Sequence, residues 1–159
     1  MTEAELNEKI RAIETGPSRI VAAVAGLGDA TLRYKSDPAK WCILEILGHL
    51  ADIEVLYGYR LRQMLADKEP VIAPIEQDDW ARNLGYLEAA PGELLDAYQA
   101  ARRANLRLLR RMKPSDLEKG AFHPERKRKV TVEELIGMMA GHDPNHLGQI
   151  ERLKGQAQG

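Results

Sequence analysis

Apolar residues recur every three or four positions over four long stretches of this chain, and no stretch keeps the period-two alternation of a half-buried strand. The first, from about Glu3 to Leu27, sets Leu6, Ile10 and Ile13 on one face and continues through Ile20, Val21 and Val24. Gly16-Pro17 stands in its middle and predicts a break or kink, because proline removes a backbone donor and crowds the preceding turn. The second, WCILEILGHLADIEVLYGYRLRQMLAD, starts at Trp41 and carries Ile43, Ile46, Leu50, Ile53, Tyr57, Leu61 and Met64 at helical spacing. Pro91 opens the third, where a missing first-turn N–H costs nothing, and Pro114 closes it. Thr131 with Glu134 predicts a capping box at the start of the fourth, which runs to about Lys154.

The segments between them read differently. Asp29 to Lys40 is turn-like, with Ser36, Asp37 and Pro38 as breakers. Pro70 and Pro74 open a connection in which a short helix fits around Asp79 to Leu87, and Ser115 to Val130 reads as a polar connection containing His123-Pro124 and ERKRK. Long helices with such connections predict an all-α fold, an antiparallel four-helix bundle with insertions. The expectation is one domain over 1–155, with 156–159 a frayed tail.

Composition narrows the function classes. At 159 residues, 44% apolar and 30% charged, the chain has the balance of a globular domain able to bury a core. A net charge of −1 gives no global field for nucleic acid or anionic membrane. No apolar run approaches the roughly 20 residues of a membrane span, and the opening MTEAELNEKIRAIE is acidic and amphipathic, unlike a signal or transit peptide. The single cysteine, Cys42, suits a reducing compartment, so a cytoplasmic protein is expected. Arg102, Arg103, Arg107, Arg110, Arg111 and Lys113 crowd the third helix, and Arg126, Lys127, Arg128 and Lys129 follow. With only Phe122 near them they read as a solvated face rather than a nucleic-acid site, although the patch could instead attract an anionic substrate such as a carboxylate-bearing thiol.

Three of the four histidines change the picture. The stripe of the fourth helix counts as Val132, Leu135, Met139, His142, His146, Ile150 and Leu153, so both histidines stand on the buried seam. An i, i+4 pair projects its rings side by side over one turn, the geometry by which two imidazoles grip a metal ion. His49 shares a face of the second helix with Ile46, Ile53 and Leu56. From pattern alone two readings stand: three satisfied core histidines, or three ligands of a metal. His123 reads as a turn histidine whose loop could fold over a site mouth.

The run WCILEILGHLADIEVLYGYRLRQML resembles the second helix of the DinB-like superfamily, the DinB/YfiT-like metalloenzymes. The segment Gln77-Asp78-Asp79-Trp80, the FHPER loop and the closing GHDPNHLGQIERL agree with it, in order, from about Leu6 to Leu153. The resemblance implies a four-helix bundle, often a homodimer, with one divalent metal ion held by His49, His142 and His146. Zinc or nickel is expected ahead of iron or manganese. Pro144 departs from the pattern, standing between two ligands where the family has a helix former, and predicts a kink or widened turn.

Three protein nitrogens leave a coordination position open, which is the arrangement of a catalytic site. The resemblance therefore implies either a metal-dependent hydrolase or a transferase using a low-molecular-weight thiol on a small-molecule substrate. The alternative is a non-catalytic bundle that the metal stabilises and that binds a small ligand or a partner. H-D-P-N-H is not the H-E-x-x-H of zincin proteases, and Asp143 reads as a solvated or supporting carboxylate. Gln149 and Asn145 share the ligand face or lie near it, Asp52 and Glu45 lie within a turn of His49, and Asp52 could orient the His49 ring, although each of these reads first as a structural or solvated residue.

Overall fold

In a computed structural model, which describes residues 1–157, the chain forms helices α1 (Glu3–Val24), α2 (Asp29–Leu32), α3 (Ile43–Ala66), α4 (Gln77–Asn83), α5 (Pro91–Leu109) and α6 (Val132–Ala157), with strands β1 (Gly120–His123) and β2 (Arg128–Thr131) between the last two helices. The four long helices are those the apolar stripes predict. All seven residues of the α3 stripe are buried, and so are Val132, Leu135, Met139, Ile150 and Leu153 of α6. The Thr131–Glu134 capping box forms as expected, with Glu134 N donating to Thr131 Oγ1 at 3.2 Å and Thr131 N to Glu134 Oε2 at 2.9 Å. Helix α6 reaches Ala157, so the expected tail 156–159 begins inside the helix, and 158–159 lie outside the described residues.

The bundle is not a simple up-and-down one. Helix α1 packs on α6 and α5, and α3 packs on α5 and α6, so consecutive long helices α1 and α3 face each other across the diagonal, as do α5 and α6. Contacts fix the directions. The amino group of Met1 meets Glu133 at 3.0 Å, and farther along Gly16 abuts Asp143, so α1 and α6 run the same way. Arg102 meets Glu54 and Asn105 meets Arg62, so α3 and α5 also run the same way. The two parallel pairs are antiparallel to each other. A chain going from α3 into a parallel α5 must travel back along the bundle, which is why the connection between Ala66 and Pro91 is long.

That connection also explains what the sequence reading misses. Phe122 N donates to Pro70 O at 2.9 Å and Ile72 N to Phe122 O at 2.8 Å, laying the returning chain beside β1. The polar connection of the sequence analysis is therefore a β-hairpin, β1 against antiparallel β2, whose four-residue pairing is too short to show period-two alternation. Its loop turns through Lys127, which has φ 52°. The short helix lies at Gln77–Asn83, a little earlier than expected, and the turn-like segment after α1 includes the single turn α2.

The apolar core falls into two clusters. One gathers Ile53, Leu61, Leu106, Leu135 and Met139, the other Ile20, Leu47, Leu50, Tyr98 and Ile150. Between them each long helix contributes small or polar residues: Gly16 from α1, His49 and Glu54 from α3, Arg102 and Asn105 from α5, and Asp143 and His146 from α6. This polar layer corrects the expectation of a break in α1, which is continuous through Pro17. Pro17 has no N–H for the carbonyl of Ile13, one turn back, and the guanidinium of Arg102 donates to that carbonyl instead.

Candidate metal centre

Helix α3 supplies His49 and α6 supplies His142 and His146, and the antiparallel packing of these two helices brings the rings together. Their Nε2 atoms converge: His49 to His142 at 3.1 Å and His146 to His142 at 3.2 Å. The ring centroids lie 4.5–5.1 Å apart. His49 and His146 are buried and His142 is half-buried. Pro144 sits exposed within an unbroken α6, and the turn it occupies keeps the two helix partners in reach of each other.

Hydrogen bonding alone does not satisfy this arrangement. Gln149 Oε1 lies 2.8 Å from His146 Nδ1, so that nitrogen carries the proton and His146 Nε2 keeps its lone pair. His142 Nε2 then faces two imidazole nitrogens and can donate to only one of them. A cation resolves the conflict. An ion bonded to nitrogens at about 2.0–2.1 Å would hold neighbouring ligand atoms about 3.0–3.4 Å apart; two of the three Nε2 separations fall in that range, and all three ligand atoms lie within 4.8 Å of one another. Charge agrees: burial pushes the pKa of His49 down to about 3 and that of His142 down to about 3, with their histidine neighbours adding to it. Burial lowers His146 too, against the pull of Gln149 and Asp143. Near neutral pH all three rings are uncharged, the form in which imidazole binds a metal.

The surroundings only partly match the sequence reading. Gln149 is the residue that orients a histidine. Asp52 is not hydrogen-bonded to His49 but accepts a 2.6 Å hydrogen bond from Tyr86. Glu45 is spent at the start of α3, accepting from Cys42 N and Lys35 Nζ at 2.8 Å each. Cys42 is wholly buried and burial raises its thiol pKa, so it is an inert core residue. Asn145 lines the cavity over the histidines. Trp41 packs at 4.8 Å against His49 and donates to Asp78 of α4 at 3.1 Å, while the edge of Tyr57 meets His142 at 5.5 Å.

Asp143 is neither solvated nor aimed at the cluster. It is buried and forms a two-pronged pair with Arg102, Oδ2 to Nη1 at 2.7 Å and Oδ1 to Nη2 at 3.1 Å. Arg102 Nη2 also reaches Glu54 at 2.8 Å and Tyr98 at 3.2 Å, and Asn105 donates to Glu54. Burial would lower the Arg102 pKa, but its hydrogen bonds to Asp143 and Glu54 outweigh that and raise it. The solvated-face reading therefore holds for Arg103, Arg107, Arg110, Arg111, Lys113 and residues 126–129, which are exposed, and fails for Arg102. A signal was present: Arg102 continues the α5 stripe of Tyr98, Leu106 and Leu109.

Two expected results arise here. Changing Gln149→Leu removes the acceptor that sets the His146 tautomer and lowers metal affinity about 10–100-fold with the fold intact, as metal competition titration would read. Changing Gly48→Ala puts a Cβ 2.3 Å from the Tyr86 ring, next to His49. Tyr86 must move and strain its bond to Asp52, so about 1–3 kcal/mol of stability is lost in denaturant unfolding. An unchanged midpoint would show that the ring yields freely.

Above the histidines lies a cavity of about 560 Å³, walled by α3, α6, the returning chain and the hairpin loop. Its lining includes His123, Glu125 and Arg126, so the loop does fold over the site mouth. A second cavity of about 460 Å³ shares Trp41 and Gln149 with it as a common wall. No helix of the described residues is long and apolar enough to cross a membrane.

A family model described as the DinB superfamily matches residues 12–150. A protein of Oceanobacillus iheyensis named "Putative metal-dependent hydrolase" is 29% identical over 154 residues, covering 96% of this chain and 88% of that one. Bacillus subtilis YfiT, with the same designation, is 24% identical over 153 residues, covering 96% and 86%. The solved structure of YfiT, described as a probable metal-dependent hydrolase with an unusual four-helix bundle topology, superposes with a TM-score of 0.92 at 23% identity over 98% of this chain and 89% of that one. A mycothiol-dependent maleylpyruvate isomerase superposes with a TM-score of 0.71 at 15% identity, over 99% and 70%.

Proposed function

This chain belongs to the DinB superfamily, and from that premise we propose that it is a metal-dependent hydrolase whose one divalent ion is held by His49, His142 and His146. The observation that carries the reading is the convergence of three imidazoles from two helices, with two Nε2 separations at the edge length of a metal polyhedron and all three ligand atoms within 4.8 Å of one another, beneath an accessible cavity. All-imidazole ligation suits zinc or nickel ahead of iron or manganese. A divalent ion held there supplies Lewis acidity at the positions the protein leaves open. The residues of the chain do the rest. Gln149 fixes the His146 ring, Trp41 and Tyr57 pack against His49 and His142, and the hairpin loop borders the cavity.

A second reading, transfer to a low-molecular-weight thiol, is favoured by the second cavity behind Trp41 and Gln149, which gives room for two substrates. The isomerase that uses mycothiol has a related fold, which is compatible with it.

The test is a turnover screen of chelator-stripped protein reloaded with zinc, nickel or manganese. One arm offers esters and amides in water, and the other offers electrophiles with cysteine or other small thiols. Hydrolysis that returns with metal supports the first reading, and turnover only with thiol supports the second. If neither arm responds while metal removal collapses stability, the ion is structural and the enzyme reading is wrong.

A further inference from the structure

The cavity over the histidines is also lined by two arginines that form no ion pair with a carboxylate of the described residues. Arg60 and Arg126 both line it, Arg60 from α3 and Arg126 from the hairpin loop. On α3 the sequence His49, Ile53, Tyr57, Arg60 follows one face, so Arg60 lies three turns, about 16 Å of helix rise, from His49. The cations and the histidines thus form two ends of one space. Arg60 is held in place: Nη2 donates to the carbonyl of Ala73 at 2.9 Å, while its Nε is buried with no partner.

Neither arginine belongs to an ion pair among the described residues. Glu125 lines the same cavity but forms no pair with them. Burial lowers the Arg60 pKa, with Tyr57 pulling the other way and the charge of Arg126 lowering it further, so the two cations sense each other. Among the described residues some exposed arginines are paired, as Arg110 is with Glu14 and Arg128 with Glu134, and others such as Arg103 and Arg107 are not; what sets Arg60 and Arg126 apart is that they share one cavity. The half-buried Arg60 and the exposed Arg126 line the same cavity, and planar guanidinium forks match the oxygens of a carboxylate or phosphate.

We infer that Arg60 and Arg126 form an oxyanion subsite, so that the substrate is a small molecule carrying a carboxylate or phosphate group at the end remote from the bond that reacts. As an assignment of substrate class, this rests on the cavity being the site of reaction. Tyr57 lines the cavity between the two ends.

The subsite is tested without metal, so that its failure is separable from failure of the metal reading. Chelator-treated protein is titrated with succinate, with inorganic phosphate and with uncharged succinamide, followed by NMR of the arginine and tryptophan side chains. Saturable binding of at least one anion, absent for succinamide and weakened at least tenfold by Arg60→Gln and by Arg126→Gln, is the expected result. Which anion binds names the group. Arg126 is exposed on a loop, so its variant folds even if that of Arg60 does not. No saturable binding of either anion, equal binding of succinamide, or unchanged affinity in the Arg126 variant overturns the inference.

Discussion

Replacing His142 with alanine is expected to abolish the proposed metal binding while leaving the bundle folded. His142 is the hub of the cluster, since its Nε2 lies within 3.2 Å of both other ligand atoms, and without it His49 and His146 are left as a pair from different helices. The loss should exceed the roughly 10–100-fold expected for a change outside the ligand shell. The metal-free fold should hardly notice, because His142 is only half-buried and its removal separates nitrogens that share too few protons. Plasma mass spectrometry on untagged wild type and His142→Ala decides this. Near-stoichiometric metal in the first and a trace in the second is the expected pattern. Equal traces in both, persisting after incubation with zinc, nickel and manganese, would mean that the histidines are merely buried, and the metalloenzyme reading would fall.

The second large effect lies away from the histidines. Changing Arg102→Met leaves Glu54 and Asp143 buried without their counter-charge and the Ile13 carbonyl without a donor. Removing one member of a buried ion pair costs about 3–5 kcal/mol. In a chain of this length that lowers Tm by on the order of 10 °C. Adding Glu54→Gln and Asp143→Asn to the same variant removes the orphaned charges and should recover a large part of the loss. A single variant within about 1 kcal/mol of wild type in chemical denaturation would show that the network is solvated and the polar layer weak. Because Asp143 follows His142 directly, the variant is also expected to loosen the metal site.

Much of this fold can be read along the chain because its signals are local. Stripe, cap and proline positions concern residues within a turn or two, and they place α3, α5 and α6 and set His142 and His146 on the buried seam. The links of Arg102 span 41, 48 and 89 residues, and no periodicity encodes them. Charged side chains on a stripe look like interruptions until their partners are known, and Gly16-Pro17 looks like a break until Arg102 is placed behind it. The same limit applies to Asp52, whose partner Tyr86 arrives from the return connection. Of the two readings that the pattern leaves open, buried core histidines or metal ligands, the resemblance to a known family favours the second.

The pairing of α1 with α6 and of α3 with α5 carries a cost in time rather than in stability. An up-and-down bundle forms through local contacts between successive helices, whereas here the helices that pack together are often distant in the chain, and His49 and His142 are 93 residues apart. Packing between helices distant in the chain raises relative contact order, so folding is expected to be slower than that of a simple up-and-down bundle. The nitrogens of the cluster meet only when α6 docks, so any metal must be captured late, after the slow search is over.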